Sequence, residues 1–263
     1  CDQFIVGVSN MTYVHSPVVK QNHQENKVLE FQGLNQLNPE KVYKKSKIVT
    51  YSGFGTPPNQ EKKLKKLGVS CIPMYDWRET HPLGKAEWIR LLAAFFDKSQ
   101  EAENYLKQIN FAYNSLLKEA STLKTRPRLL SGAMIGDNWF MPAGQSFNAL
   151  LFEKAKCDYV GKNENGTGSG SYTFENVYDQ YKDADVWINP MQSTRKKMLT
   201  NNSKYAYFEA FKSREVYCYS HHMNFFWENS AIEPHKVLSD LIQILHPTEV
   251  QKKKLYFYKK LRD

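Results

Sequence analysis

The residues of this 263-residue chain best equipped for chemistry are aromatic and cationic side chains that follow short β-rich runs. In the first third they are Tyr13, Tyr51, Phe54, Trp77 and Arg78. Tyr51 and Phe54 stand in Tyr51-Ser52-Gly53-Phe54-Gly55, where glycines keep the backbone open beside the rings. Further along, Met134, Trp139, Met141 and Tyr172 form an apolar group. Asn189, Gln192 and Arg195 form a polar one, and His221-His222 is a pair of imidazoles able to respond to pH. Aromatic faces suit flat or bulky ligands, and fixed Arg or His donors suit anionic ones. Such a set fits reversible capture, which needs complementarity and no covalent machinery. Each residue also has a plainer reading. Tyr51 and the methionines could close a core, Trp77 could be structural, Arg78 could pair with Glu79, Arg195 could lie on a helix surface, and adjacent loop histidines could be solvated.

Covalent and metal chemistry find little support. No G-x-S-x-G elbow occurs, and Asp76 and Glu79, the one carboxylate pair considered for acid-base work, sit three apart in a loop that fixes no geometry. The histidines lack H-x-H or H-E-x-x-H spacing, which argues against a zinc or manganese site built from imidazoles. Cys1, Cys71, Cys157 and Cys218 show no C-x-x-C spacing, and their pairing stays open. Gly166-Thr167-Gly168-Ser169-Gly170 has no strand feeding it directly into a helix, so it reads as a loop and not as a dinucleotide fingerprint.

Lys and Arg outnumber Asp and Glu by 36 to 27, giving +9. Lys62-Lys63, Lys65-Lys66 and Lys252-Lys253-Lys254 are the densest basic runs. The helical spacing of leucines among them describes a solvated face and not a nucleic-acid stripe, so the net charge points to an anionic small ligand. No apolar run approaches 18 residues, which excludes a spanning helix within this sequence. Cys1 invites a lipid-anchor reading, although Phe4-Ile5-Val6-Gly7-Val8 runs into a strand without a tether.

The elements that must position these side chains follow a βαβ grammar. Phe4–Val8, Lys47–Tyr51 and Val69–Met74 read as strands, Asn38-Pro39 opens a helix, and Glu61–Leu67 is a short amphipathic helix stopped by Gly68. From Gly84 to about Leu123 a long helical pattern runs without further Gly or Pro. Strands resume at Arg128–Met134, Ala184–Asn189 and Glu215–Tyr219, with a hairpin-like turn at Gly136-Asp137-Asn138. Helices are expected to begin near Phe147, Phe174 and Ser203, with a last one over His235–Leu245. The α/β reading is therefore an N-terminal lobe over 1–82, a linking helical segment over 83–123 and a C-terminal lobe over 124–263.

The run from Asp76 to Ile89, Asp-Trp-Arg-Glu-Thr-His-Pro-Leu-Gly-Lys-Ala-Glu-Trp-Ile, resembles the junction before the linking helix in substrate-binding proteins of ABC importers of the ferric-siderophore and cobalamin class, especially the Bacteroidetes-type form. Leu130–Met134 with Trp139–Gly144, Ala184–Pro190, and Phe226–Glu228 through Ile244–Pro247 match the same group in the same order, so the resemblance covers nearly the whole chain. It implies two Rossmann-like lobes joined by a rigid helix, a ligand cleft between them, and no catalysis or cofactor. The ligand it implies is a metal chelate, a ferric siderophore first, with cobalamin and haem as rivals. The implied partners are a membrane permease and its ATPase, met by a monomeric protein held at the periplasmic side of a membrane by a lipid anchor at or before the chain start. Glu61 and, less closely, Glu209 match the two acids that dock the permease in such proteins. The resembling proteins carry a further strand and helix ahead of Val6–Val8, so the first lobe is expected to lack its opening strand, helix and polar cleft loop.

Overall fold

The computed structural model describes residues 2–31, 34–53, 57–219 and 223–263. The chain divides into two compact units, 1–78 and 79–263.

The first unit alternates strands and helices: β1 (Gly7–Val8), α1 (Pro17–Gln24), β2 (Leu29–Glu30), α2 (Pro39–Lys45), β3 (Ile48–Ser52), α3 (Glu61–Lys66) and β4 (Ser70–Met74). β1 pairs with β2 and β3 with β4, both parallel, as helical crossovers require. Local chemistry sets the helix ends. Asn38 accepts hydrogen bonds from the Glu40 and Lys41 amides at 3.1 and 3.0 Å, and Pro39 takes the first helical position. Gly68, at φ +80°, ends the turn after α3 in a conformation that a side chain would strain. Leu37, Val42, Leu64 and Val69 make a small aliphatic core. Of the strand expected at Phe4–Val8, only Gly7–Val8 pairs, and Asp2–Phe4 is a 3₁₀ turn.

The second unit opens with three helices, α4 (Pro82–Glu87), α5 (Ile89–Ala94) and α6 (Ser99–Ser121), where sequence periodicity alone predicts one. The breaks fall at Trp88 and around Asp97, which adopts φ 53°. Such a left-handed residue ends a helix whatever the hydrophobic period says. Then follow β5 (Arg128–Ser131), β6 (Ala133–Ile135), β7 (Asn138–Pro142), α7 (Phe147–Lys154), β8 (Asp158–Tyr159), β9 (Ser169–Tyr172), α8 (Phe174–Tyr181), β10 (Val186–Ile188), α9 (Arg195–Asn201), α10 (Glu209–Lys212), β11 (Val216–Cys218), α11 (Met223–Asn229), α12 (Pro234–Leu245) and β12 (Lys259–Lys260). The main sheet has the order β12-β11-β10-β5-β8, parallel except for β12. β6, β7 and β9 form a separate antiparallel sheet. Ser203, expected to open an α-helix, begins a 3₁₀ turn over Ser203–Tyr207, and α9 precedes it.

The second unit's core is aromatic. Trp139 and Trp187 stack at 5.3 Å, Tyr205 stands edge-on to both, and Phe208 packs against the pair. Both indole N–H groups are satisfied, Trp139 donating to the Ser131 carbonyl at 2.9 Å and Trp187 to that of Gly132 at 2.8 Å. Gly132, at φ +85°, is obligatory between β5 and β6, since a Cβ there would lie 1.9 Å from the Phe140 carbonyl oxygen. Glu249 fastens the segment after α6 to the end of α12. Its carboxylate accepts from the Thr125 hydroxyl and from the Lys124 and Thr125 amides at 2.7 and 3.2 Å, and the hydroxyl first, then the amides, hold its pKa down to about 2.

Candidate functional site

In the first unit, the parallel strands deliver aromatic rings to solvent at their C-terminal ends, the place where α/β sheets bind ligands. After β1, Asn10 caps a 3₁₀ turn over Met11–Tyr13 by accepting from the Thr12 amide at 2.8 Å, and Glu30 accepts from the Met11 amide at 2.9 Å. The turn holds Tyr13 with 71% of its surface exposed. After β4, a second 3₁₀ turn, Asp76–Arg78, presents Trp77 at 41% exposure, with the Arg78 guanidinium 5.9 Å from its ring. Tyr75 stands beside them, also exposed, and its ring closes over Gly53, where an added Cβ would lie 2.2 Å away. Phe31 covers Gly7 in the same manner.

Tyr13, Trp77 and Arg78 are therefore displayed, and Tyr51 is not. The alternation of β3 turns Tyr51 inward, where burial raises its hydroxyl pKa, and Ser52 takes the outward place. Phe54, His221 and His222 lie outside the described residues, as does Cys1.

In the second unit, strand order reverses between β5 and β10, so their C-terminal ends form the switch point of a doubly wound sheet. Asn189 and Met191 follow β10, both at φ 57°. Asn tolerates that region; for Met it is uncommon and marks a locally strained loop. Met191 is 53% exposed. Asn189 hydrogen-bonds the Tyr258 hydroxyl and keeps a buried Oδ1 without a partner among the described residues. Gln192, half-buried in the same loop, accepts from the Cys218 thiol through its carbonyl at 3.3 Å.

Three of the second unit's expected contacts belong to the fold. The β6–β7 hairpin turns at Gly136-Asp137, with Asn138 of the expected turn already paired in β7, and its period of two sends Trp139 and Met141 into the core at 0% and 3% exposure. Arg195 is the third. Its side chain is 12% exposed, pairs with Asp263, donates to the Phe211 carbonyl at 2.9 Å and lies 4.4 Å from the Phe211 ring. It opens α9 after the Thr194 cap and ties to Asp263, and its Nε, unpartnered among the described residues, is buried, so no exposed fork is offered to an anion.

Met134 and Tyr172 flank Trp139 on the same face and are half-buried, Tyr172 pushed up to about 12 by burial and by Glu164. The solvent face of that small sheet carries Ile135 and Phe140. Trp227, 58% exposed, stands edge-on to Tyr219, which stacks on Phe226 at 3.7 Å. Tyr75, Met191, Ile135 and Trp227 are absent from the sequence-derived set. The hairpin register, which sets Ile135 opposite Asn138 and off the Trp139 face, points to Ile135, and Tyr75 directly follows a correctly placed strand. The Met191 backbone conformation leaves no trace in the sequence.

Glu61 is engaged by Lys65 at 2.8 Å and retains 20% side-chain exposure, whereas Glu209 is 57% exposed and lies 3.7 Å from Lys212. Among the described residues no three His, Cys, Asp or Glu side chains converge on a metal position, and no helix is long and apolar enough to cross a membrane.

Residues 4–221 match the model of the periplasmic binding protein family, and the chain belongs to that family. An uncharacterized lipoprotein of Methanocaldococcus jannaschii is 30% identical over 203 residues, covering 75% of this chain and 47% of that protein. The chain spans 47% to 64% of the length of the curated relatives it matches. A protein from Staphylococcus epidermidis, described as a possible iron-binding (periplasmic solute-binding) protein, superposes with a TM-score of 0.66 at 14% identity, covering 92% of this chain and 90% of that one. Staphylococcus aureus IsdE, complexed with haem, gives 0.63 at 17% identity, covering 92% and 91%. These structures share the fold, a two-lobed α/β architecture of solute-binding proteins.

Proposed function

We propose that the chain is the extracytoplasmic substrate-binding component of an ABC importer, that it captures a metal chelate, a ferric siderophore foremost, and that it passes the chelate to a membrane permease driven by its ATPase. The observation that carries the reading is the display of Tyr13, Tyr75, Trp77 and Arg78 on turns that follow parallel strands of a solute-binding fold. Exposed rings cost hydrophobic free energy in an empty protein, and a planar or bulky ligand recovers it by stacking. Arg78 adds a charged donor suited to a catecholate or carboxylate, and the +9 net charge draws an anionic chelate from a distance. On the second unit, Asn189, Met191 and Gln192 at the switch point are further proposed contacts, together with Met134 and Tyr172. Capture and release need no bond making, so the chain acts without turnover. A lipid anchor at the membrane accords with the named lipoproteins among its relatives.

The test is a tryptophan-fluorescence titration with ferric catecholates, ferric hydroxamates, ferric citrate, haem and cobalamin. One class should quench saturably, and Trp77→Ala should abolish the response with the fold intact by circular dichroism. Silence toward every chelate overturns the assignment, and saturation by cobalamin or haem alone replaces the siderophore.

A further inference from the structure

The helical layer of the first unit has a composition that ligand capture does not use. Between Pro39 and Lys66 the sequence holds eight lysines, two glutamates and no arginine, a net +6 within a chain of net +9. α2 and α3 bury Val42 and Leu64 in the small core, and every lysine on them is exposed. Lys63 reaches Glu40 at 3.5 Å, so α2 and α3 lie side by side with their lysines in solvent. Lys47 lies 3.4 Å over the ring of Tyr43, an aromatic side chain 42% exposed on α2. The acid expected to meet a permease, Glu61, sits inside this field and is already paired with Lys65.

We infer that this face rests on an anionic phospholipid surface. Protein interfaces gather aromatic residues and arginine around an apolar centre and are depleted of lysine. Here lysine dominates, arginine is absent and Tyr43 is the one large exposed apolar group among the described residues of α2 and α3. Lysine ammonium groups are strongly hydrated point charges, suited to a diffuse negative layer and not to the planar fork geometry that carboxylate partners reward. Tyr43 has the amphipathic ring that settles at headgroup depth. The surface would fix how the first unit meets the membrane, independently of what the protein binds.

The inference is tested by sedimentation of the whole chain with vesicles of phosphatidylcholine alone and with phosphatidylglycerol added. Binding should require the anionic lipid and disappear as salt rises from 20 to 500 mM, since the Debye length falls from about 20 Å to about 4 Å. Each lysine near such a surface contributes about fivefold in partitioning, so K44Q/K45Q/K62Q should lower binding about 100-fold. K252Q/K253Q/K254Q, which removes the same charge from the second unit, should leave it nearly unchanged, and both variants should keep the wild-type circular dichroism spectrum. Equal loss in the two triple variants reduces the effect to net charge and overturns the assignment of this face. Absence of binding to anionic vesicles overturns it too, including a result in which the chain retains affinity only for an acidic protein. The chelate titration on K44Q/K45Q/K62Q separates the two readings, because ligand quenching should persist in that variant.

Discussion

The two units use their aromatic side chains in opposite ways. In the first unit, Tyr13, Tyr75 and Trp77 stand in solvent above a core of small aliphatic residues. In the second, Trp139, Trp187, Tyr205 and Phe208 are fully buried and form the centre of a much larger core. The difference is one of depth. A two-layer unit of 78 residues has little interior to cover rings at its strand ends, whereas the second unit has a second sheet, β6-β7-β9, whose inner face is closed by them. An exposed ring is available to a ligand, and a buried one is committed to the fold.

Substituting one tryptophan on each side should show the largest contrast. Trp139→Ala should destabilise the second unit by about 3–5 kcal/mol, the cost of a large cavity together with a broken indole hydrogen bond. Trp77→Ala should change stability by no more than about 0.5 kcal/mol while removing the chelate response. Urea unfolding followed by far-ultraviolet circular dichroism measures both. A Trp77→Ala loss comparable to that of Trp139→Ala would erase the distinction between the units.

Why sequence reading placed the strands well and the site less well follows from the same contrast. β3, β4, β10 and β11 and the starts of α2, α3, α7, α8 and α12 announce themselves through local signals such as β-branched runs, Asn38-Pro39 and Gly68. Whether a side chain after a strand faces core or solvent depends on what packs over it, and that is not local. Trp139 and Met141 look like ligand contacts until the core around Trp187, Tyr205 and Phe208 is seen to cover that face of their hairpin. Arg195 looks free until Phe211 and Asp263, distant in sequence, are seen to hold it. The helical stretch from Gly84 hides two breaks because neither Trp88 nor Asp97 is a residue that helix punctuation flags. Tyr13, Trp77 and Arg78 stand on exposed turns after β1 and β4, and that exposure is the part of the expectation that the structure addresses.

A second test uses polar burial, which follows the same division. Every buried polar side chain among the described residues, Asp240 included, lies in the second unit. Asp240 on α12 accepts from the backbone amides of Tyr256, Phe257 and Tyr258 at 2.8, 2.7 and 3.1 Å, yet desolvation outweighs these donors and pushes its pKa up from 3.8 to about 6. The unfolded chain thus releases this proton at lower pH than the native one. The native state is favoured by the protonated group below pH 4, and that advantage, about 3 kcal/mol for a shift of this size, is lost as pH rises through 4 to 6. Asp240→Asn should remove that part of the pH dependence, read as a flatter slope of unfolding free energy between pH 4 and 6. An unchanged slope would mean that the amide donors, and not burial, govern the group.

The smallest and sharpest comparison sets Arg195 against Arg78, two guanidinium groups beside aromatic rings with opposite surroundings. Arg195→Ala should cost about 1–3 kcal/mol, because it removes the hydrogen bond to the Phe211 carbonyl, the packing on that ring and the tie to Asp263. Affinity for an anionic chelate should stay as it is. Arg78→Ala should leave stability within about 0.5 kcal/mol and weaken an anionic chelate about tenfold, since a charge-assisted bond near the surface contributes about 1.5 kcal/mol. Paired unfolding curves and fluorescence titrations give both numbers for each variant. If Arg195→Ala weakens the chelate as much as Arg78→Ala does, a buried clamp also shapes ligand binding, and burial no longer separates the residues that hold the fold from those that meet the ligand.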